Sequence, residues 1–304
     1  MKKNQATLLT AALLCLHSAA FAQADTARFQ AEGQPSLTFS QARYTESLPD
    51  GQNSLGFRAA FLGSTTYSKG RTLFKNSLDV AYAKSREGGA SVFTKNEDRL
   101  SFNSALGYEI TPGSPLHWAA QLDLKTQFDC GYNYNDDGTR TRISQFFAPA
   151  YVIAALGVRY QSSFGFSAML SPISGRFTVV SDTALCKFID VDLAENPRSF
   201  RTQVGAYAQL AYDKNVNKYV GVKSTLDLFS CYHQNPQNID VDWTVSASFS
   251  LNSWLSIVLF NRVTYRDLDR YVFVNADGVE EIRGPKVQWQ ESLNVGFAYK
   301  FATK

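Results

Sequence analysis

A sixteen-residue stretch near the C-terminus constrains this chain more than any other feature. From Lys286 to Phe301 it reads KVQWQESLNVGFAYKF. Val287, Trp289, Leu293, Val295, Phe297, Tyr299 and Phe301 share one parity, and Lys286, Gln288, Gln290, Ser292, Asn294 and Lys300 share the other. Side chains alternate across a strand, so one face is apolar and the other polar. Glu291 is the one charge on the apolar face, and it lies toward the start of the strand, where an interface solvates it. A final strand of this length, ending on an aromatic, suits a wall with lipid outside and water or polar side chains inside.

The same alternation recurs along the chain. Leu55, Phe57, Ala59 and Phe61 alternate with Ser54 and Arg58; Trp118, Leu122 and Leu124 with His117, Gln121, Asp123 and Lys125; Val241, Trp243 and Val245 with Asp240, Asp242, Thr244 and Ser246. Period-2 patterning predicts half-buried strands, not helices. Twelve segments carry it: 36–45, 53–68, 72–85, 98–110, 116–129, 145–161, 164–180, 199–213, 218–232, 239–251, 254–266 and 286–301. Most are long enough for the nine to eleven residues of a barrel crossing. The even-numbered connections are all shorter than the odd-numbered ones, as expected when short turns face the periplasm and long loops face outward. Aromatics flank the short connections: Tyr67 and Phe74, Tyr108 and Trp118, Tyr160 and Phe164, Tyr212 and Tyr219, Trp254, then Tyr299 and Phe301. They predict an interfacial aromatic girdle. The expected fold is all-β: a transmembrane antiparallel up-and-down β-barrel of about 12 strands over 36–304.

The N-terminus reads as an export signal over 1–22, with Lys2 and Lys3, an apolar run from Leu8 to Leu16, and cleavage after Ala20-Phe21-Ala22. Cys15 lies inside the apolar run behind Leu14, so it does not fit a lipidation site. Residues 23–35 are expected to be a short periplasmic lead-in. Beyond the signal the longest apolar run, Ala150 to Val158, is far short of the roughly twenty residues of a spanning helix. A crossing must then be made by strands closed into a barrel. The net charge of +3 is dispersed, and no Lys/Arg cluster points to nucleic acid. Cys130, Cys186 and Cys231 remain after cleavage, an odd number that leaves at least one unpaired or intermolecular.

Several phrases carry a family resemblance. They are Thr126-Gln127-Phe128, Ala148-Pro149-Ala150-Tyr151, Leu170-Ser171-Pro172 with Gly175, Leu226-Asp227-Leu228-Phe229-Ser230, Asn235-Pro236-Gln237-Asn238-Ile239-Asp240-Val241 with Trp243, and Gly284-Pro285-Lys286-Val287-Gln288. In this order the chain resembles, from about Ser36 to Phe301, a Bacteroidota envelope family catalogued as domain of unknown function 3078. The resemblance implies an exported β-rich protein of the outer membrane. It implies no activity, ligand or catalytic residue. The chain departs from a terminal aromatic by ending Ala302-Thr303-Lys304.

Residues for chemistry are sparse. His117 follows a short turn and His233 opens a long loop, so a barrel holds them at opposite ends. Cys231, Ser230, Asp240 and Asp242 lie near His233, which raises a rim hydrolase as one alternative. Asn133 to Ser144 begins like a calcium loop, but Asn133 and Ser144 stand where Asp and Glu belong, so a turn at Asp137-Gly138 is the expected reading. Asp277-Gly278 predicts a hairpin between Tyr271–Val274 and Val279–Ile282. The polar face carries Arg58, Lys75, Asp79, Arg99, Glu109, Asp123, Lys125, Arg201, Lys223, Asp227 and Arg262, which are expected to line the lumen. They either pair and plug it or border a narrow polar path. Side chains fill barrels of about eight strands, and sixteen to eighteen leave a wide channel, so twelve does not choose.

The expected function is passage or binding of a small solute in a narrow polar lumen. One alternative is a structural or accessory barrel binding another envelope protein through its loops. No catalytic residue, metal site or cofactor is assigned, and an enzyme is not expected. The expected partners are outer-membrane lipids and the barrel-assembly machinery, and the expected location is the outer membrane of a Gram-negative bacterium.

Overall fold

The computed structural model describes residues 27–42, 54–87, 92–134, 139–189, 191–252, 254–269, 271–274, 280–299 and 301–302. The signal segment 1–22 and the turns at Asp137-Gly138 and Asp277-Gly278 lie outside the described residues.

Twelve strands cross in chain order: β1 (Arg28–Ala42), β2 (Ser54–Lys69), β3 (Thr72–Glu87), β4 (Thr94–Glu109), β5 (Leu116–Thr126), β6 (Ala150–Gln161), β7 (Phe166–Val179), β8 (Phe200–Asn215), β9 (Val220–Cys231), β10 (Asp240–Ser250), β11 (Leu255–Tyr265) and β12 (Gln288–Ala298). Each pairs antiparallel with its sequence neighbour. β12 closes on β1 at Leu37↔Phe297 and Ser36↔Ala298, and the chain pairs there again at Gly33↔Phe301 and Glu32↔Ala302. The fold is a closed twelve-stranded antiparallel β-barrel, as the alternation predicts. Closure removes the sheet edges, which is what lets strands sit in lipid.

The outer face is apolar. Trp289, Leu293, Val295 and Phe297 all stand exposed on β12. On β5, Leu122 is 42% exposed while Asp123 beside it is 7% exposed. An apolar exterior around a polar interior inverts a soluble protein and marks a transmembrane barrel. Among the described residues, no helix is long and apolar enough to cross a membrane. Phe74, Tyr108, Trp118, Tyr160, Phe164, Tyr219, Trp254 and Tyr299 are exposed beside the short connections or the C-terminal end, where the girdle was expected.

Three features differ from the sequence expectations. The lead-in 23–35 is strand from Arg28 onward, and β1 pairs with β2 along its whole length. Gly33 and Pro35 interrupt the apolar parity there and hide the strand in the sequence. Next, β2, β3 and β4 have 16 residues each while β10, β11 and β12 have 11. The wall is taller on the first side and absorbs part of a long loop, so connections 88–93 and 110–115 become equal in length. Finally, β7 carries a bulge at Ser171–Ile173, where the register shifts against both β6 and β8. Pro172 has no N–H to give the ladder. Ser171 Oγ donates to Leu156 O at 2.8 Å, and Ser174 Oγ donates to Gly205 O at 2.7 Å. The hydroxyls thus satisfy carbonyls that the bulge would leave bare in lipid.

The loop end has structure of its own. Gly131–Tyr134 pairs with Arg140–Ser144, and the expected second hairpin pairs Tyr271–Val274 with Glu280–Arg283. A 3-10 turn (Thr183–Phe188), capped by the Asp182 carboxylate accepting from Ala184 N–H, precedes a short helix, α1 (Val191–Glu195). They bury Leu185, Cys186, Ile189 and Leu193 against Ala148 and Val180.

Candidate functional site

The interior is largely polar because nearly every strand turns its polar parity inward; β6 is an exception, with Ile153 and Ala155 packed against Met169 and Tyr207. Long charged side chains there form three connected groups. On the tall wall, Arg58 Nε lies 2.6 Å from Glu97 Oε2, Arg99 Nη1 lies 3.2 Å from Glu97 Oε1, and Arg99 Nε lies 3.2 Å from Asp79 Oδ2. The Arg99 guanidinium also stands 4.4 Å over the Phe260 ring, itself inside the lumen.

The second group crosses the barrel. Lys125 on β5 reaches Asp227 on β9 at 2.9 Å and Asp242 on β10 at 3.2 Å, partners 102 and 117 residues away in sequence. Asp123 is 3.8 Å from the same ammonium and accepts from Asn103 Nδ2. Arg262 holds Asp242 through two nitrogens, at 2.6 and 3.0 Å. Tyr207 Oη donates to Asp227 at 2.6 Å and accepts from Gln121 and Gln209 amides. Arg159 donates to Gln121 Oε1.

The third group lies toward the loop end. Arg176 donates to Asp240 at 2.5 Å and to Gln203 at 3.0 Å, and Asp267 N–H caps Asp240 at 2.8 Å. Arg201, 6% exposed, also donates to Gln203. Above it, Asp129 accepts from Tyr82 Oη and Cys130 N–H and pairs with Lys84 at 3.2 Å. Burial acts to raise the Asp129 carboxyl, but those donors outweigh it and hold the group below the usual carboxylate range.

Among the cavities bordered by described residues, two meet at this network. The larger, about 590 Å³, occupies the turn-end half and reaches Ser162, Ser163 and Gly165. Its walls are short side chains such as Ala105, Ser167 and Ala211, with Lys75, Arg159 and Lys223 projecting among them. The smaller, about 310 Å³, lies on the loop side, among Gln127, Tyr151, Arg266 and Gln290. Lys125 and Arg262 line both. The Lys125–Asp242–Arg262 group is therefore the septum between them.

The polar parity places Lys75, Asp79, Arg99, Asp123, Lys125, Lys223, Asp227 and Arg262 around the larger cavity. Arg58 pairs higher on the wall, and Arg201 sits toward the loop end. Glu109 caps a turn by accepting from Gly113 N–H at 2.9 Å. Tyr207, Gln209, Arg159 and Glu97 complete the networks and were not singled out from the sequence, and Gln121 and Asp242, placed on polar faces there, were not assigned to the lumen. Tyr207 looks like any lipid-facing tyrosine by type; only its shared parity with Gln203 and Gln209 assigns it inward.

His117 is buried at the turn end, its Nδ1 3.2 Å from Pro115 O, and His233 is exposed at the loop end. Ser230 donates to Pro236 O, Cys231 packs with Met169, Tyr207 and Phe229, and Asp240 and Asp242 are engaged by arginines. Among the described residues, no hydrogen bond joins His233 to any of them. Cys130, Cys186 and Cys231 are all free thiols. Among the described residues, no group of three or more His, Cys, Asp or Glu is placed to hold a metal ion.

These features define a transmembrane β-barrel whose lumen is divided by a charged septum. Residues 39–132 match the family described as Protein of unknown function (DUF3078). No curated protein matches the chain. An outer membrane channel from Pseudomonas putida F1 is similar at 12% identity and a TM-score of 0.38, covering 93% of this chain and 98% of that one. The translocator domain of the autotransporter NalP from Neisseria meningitidis is similar at 11% identity and 0.33, covering 98% and 96%. The P. putida toluene transporter TodX is similar at 10% identity and 0.29, covering 91% and 90%. At these values nothing about the chemistry of this chain follows from them.

Proposed function

We propose that this is an outer-membrane barrel of the Bacteroidota envelope that takes up a small polar solute into its lumen, with the turn end in the periplasm. The observation that carries this reading is the pair of cavities sharing Lys125 and Arg262. A cavity of about 590 Å³ falls within the roughly 300–1,000 Å³ of small-molecule sites. The septum then restricts passage, and its loosening admits solute. Arg262→Ser is the mildest way to loosen it, because Asp242 keeps Lys125 at 3.2 Å and Arg266 at 3.9 Å. In planar bilayers the native barrel should conduct weakly and Arg262→Ser several-fold more. Folded barrels that stay silent in both forms would overturn passage. A second reading, an accessory barrel that binds an envelope protein through its loops, draws on the buried loop-end cluster around Leu185 and Leu193.

A further inference from the structure

Charge pairing around the larger cavity is uneven. Arg99 has Asp79 at 3.2 Å, Lys125 has Asp227 at 2.9 Å, Lys223 has Asp213 at 3.1 Å, and Arg262 has Asp242 at 2.6 Å. Lys75 and Arg159 line the same cavity, and among the described residues neither has a carboxylate at ion-pair distance. Lys75 donates to the neutral Gln161 Oε1 at 3.2 Å. Arg159 donates to the amide oxygens of Gln121 and Gln209, and its Nε is buried without a hydrogen bond. The two cations repel each other, and Asp213, whose charge also bears on Lys75, is paired with Lys223. Two like charges held together without a counter-ion are costly. An anion entering between them relieves that cost.

We propose that Lys75 and Arg159 form a binding site for a soluble oxyanion, a phosphate or carboxylate group, at the turn end of the lumen. The chemistry fits. An ammonium gives a compact point charge, and a guanidinium whose Nη1 makes no hydrogen bond with a described residue offers an oxyanion a directed donor. Ser162, Ser163 and Ser167 line the same space and add hydroxyls. Ala105, paired with Lys75 in register, leaves room for the guest beside the ammonium. The site rests on the solute reading above and narrows it to anions.

The test uses the full, folded barrel in zwitterionic detergent, with inorganic phosphate as the probe and ionic strength held by chloride. Calorimetry should give saturable binding at one site. Lys75→Gln and Arg159→Gln should each weaken it about tenfold or more, the scale of one hydrogen bond to a charged group. Lys75→Arg should retain most of it, and Lys84→Gln, at the loop end and lining neither cavity, should change it by about twofold or less. Heat-modifiable migration checks folding; Lys75→Gln removes only one hydrogen bond and reads the site if Arg159→Gln fails to fold. Phosphate binding that is absent, indifferent to both substitutions, or equally lost in Lys84→Gln would overturn the site. So would binding of short-chain phosphatidylglycerol without binding of free phosphate, which would make the ligand a lipid headgroup. Binding is read without passage, so a conducting barrel that ignores phosphate sinks the anion site alone, and a silent barrel that binds phosphate sinks passage alone.

Discussion

The two halves of the lumen are walled by the same twelve strands and filled differently. Toward the loop end, Lys125, Arg262, Arg266 and Arg176 meet Asp227, Asp242 and Asp240, and side chains from nearly opposite walls touch. Toward the turn end, Ala105, Ser167 and Ala211 stop short and leave about 590 Å³. Strand number sets how wide a barrel is, but twelve permits either a plug or a path. Which one forms is decided row by row, by the length of the inward side chain and by whether its charge finds a partner across the gap.

The sharpest way to break that contrast is to remove the centre of the septum. Lys125→Met leaves Asp123 and Asp227 without a cation, beside an Asp242 that Arg262 still holds. Their side chains are only 10–11% exposed. Stranding buried carboxylates this way should cost toward the lower end of about 3–5 kcal/mol, since cavity water reaches part of the group. Urea titration in lipid vesicles measures it. A loss under about 1 kcal/mol would mean that water already solvates these charges and that the two halves do not differ.

A smaller effect tests the wall that both halves share. Leu122 faces lipid and its neighbour Asp123 faces inward. Leu122→Lys should cost about 2–4 kcal/mol in a bilayer, while Ser246→Lys, on the inward parity, should cost much less. Equal tolerance of the two would refute the register, and with it every inward assignment made from parity.

Much of this architecture was legible in the sequence. The parity of β12 and of β5 gave the inside and outside of the wall, and short turns gave the strand order. Glycine and proline blurred the rest: Gly33 and Pro35 hid the first half of β1, and Pro172 concealed a bulge within an otherwise strand-like run. The lumen residues were legible as a set but not as pairs. Lys125 and Asp242 lie 117 residues apart, and only closure of the barrel brings them together. Arg159 lay at the end of the apolar run through Val158, so the signal for the unpaired cation was its contrast with its neighbours rather than any motif.

The least effect is expected at Lys223 and Asp213, and it tests burial as the cause of the contrast. This pair has the same chemistry as Lys125 with Asp227, a lysine and an aspartate about 3 Å apart. Its side chains are 56% and 65% exposed, against 22% and 10% for the septum pair. Water competes for each exposed partner and screens the attraction, so a double-mutant cycle on Lys223 and Asp213 should give about 0.2–1 kcal/mol. The corresponding cycle on Lys125 and Asp227 should give a coupling several times larger, because there each charge has lost most of its water inside a network of fixed partners. The comparison holds residue type and distance nearly constant and varies exposure together with the number of charges around the pair. Equal couplings in the two cycles, measured in the same vesicles, would mean that the loop-end half is as wet as the turn-end half and that the septum is open to water.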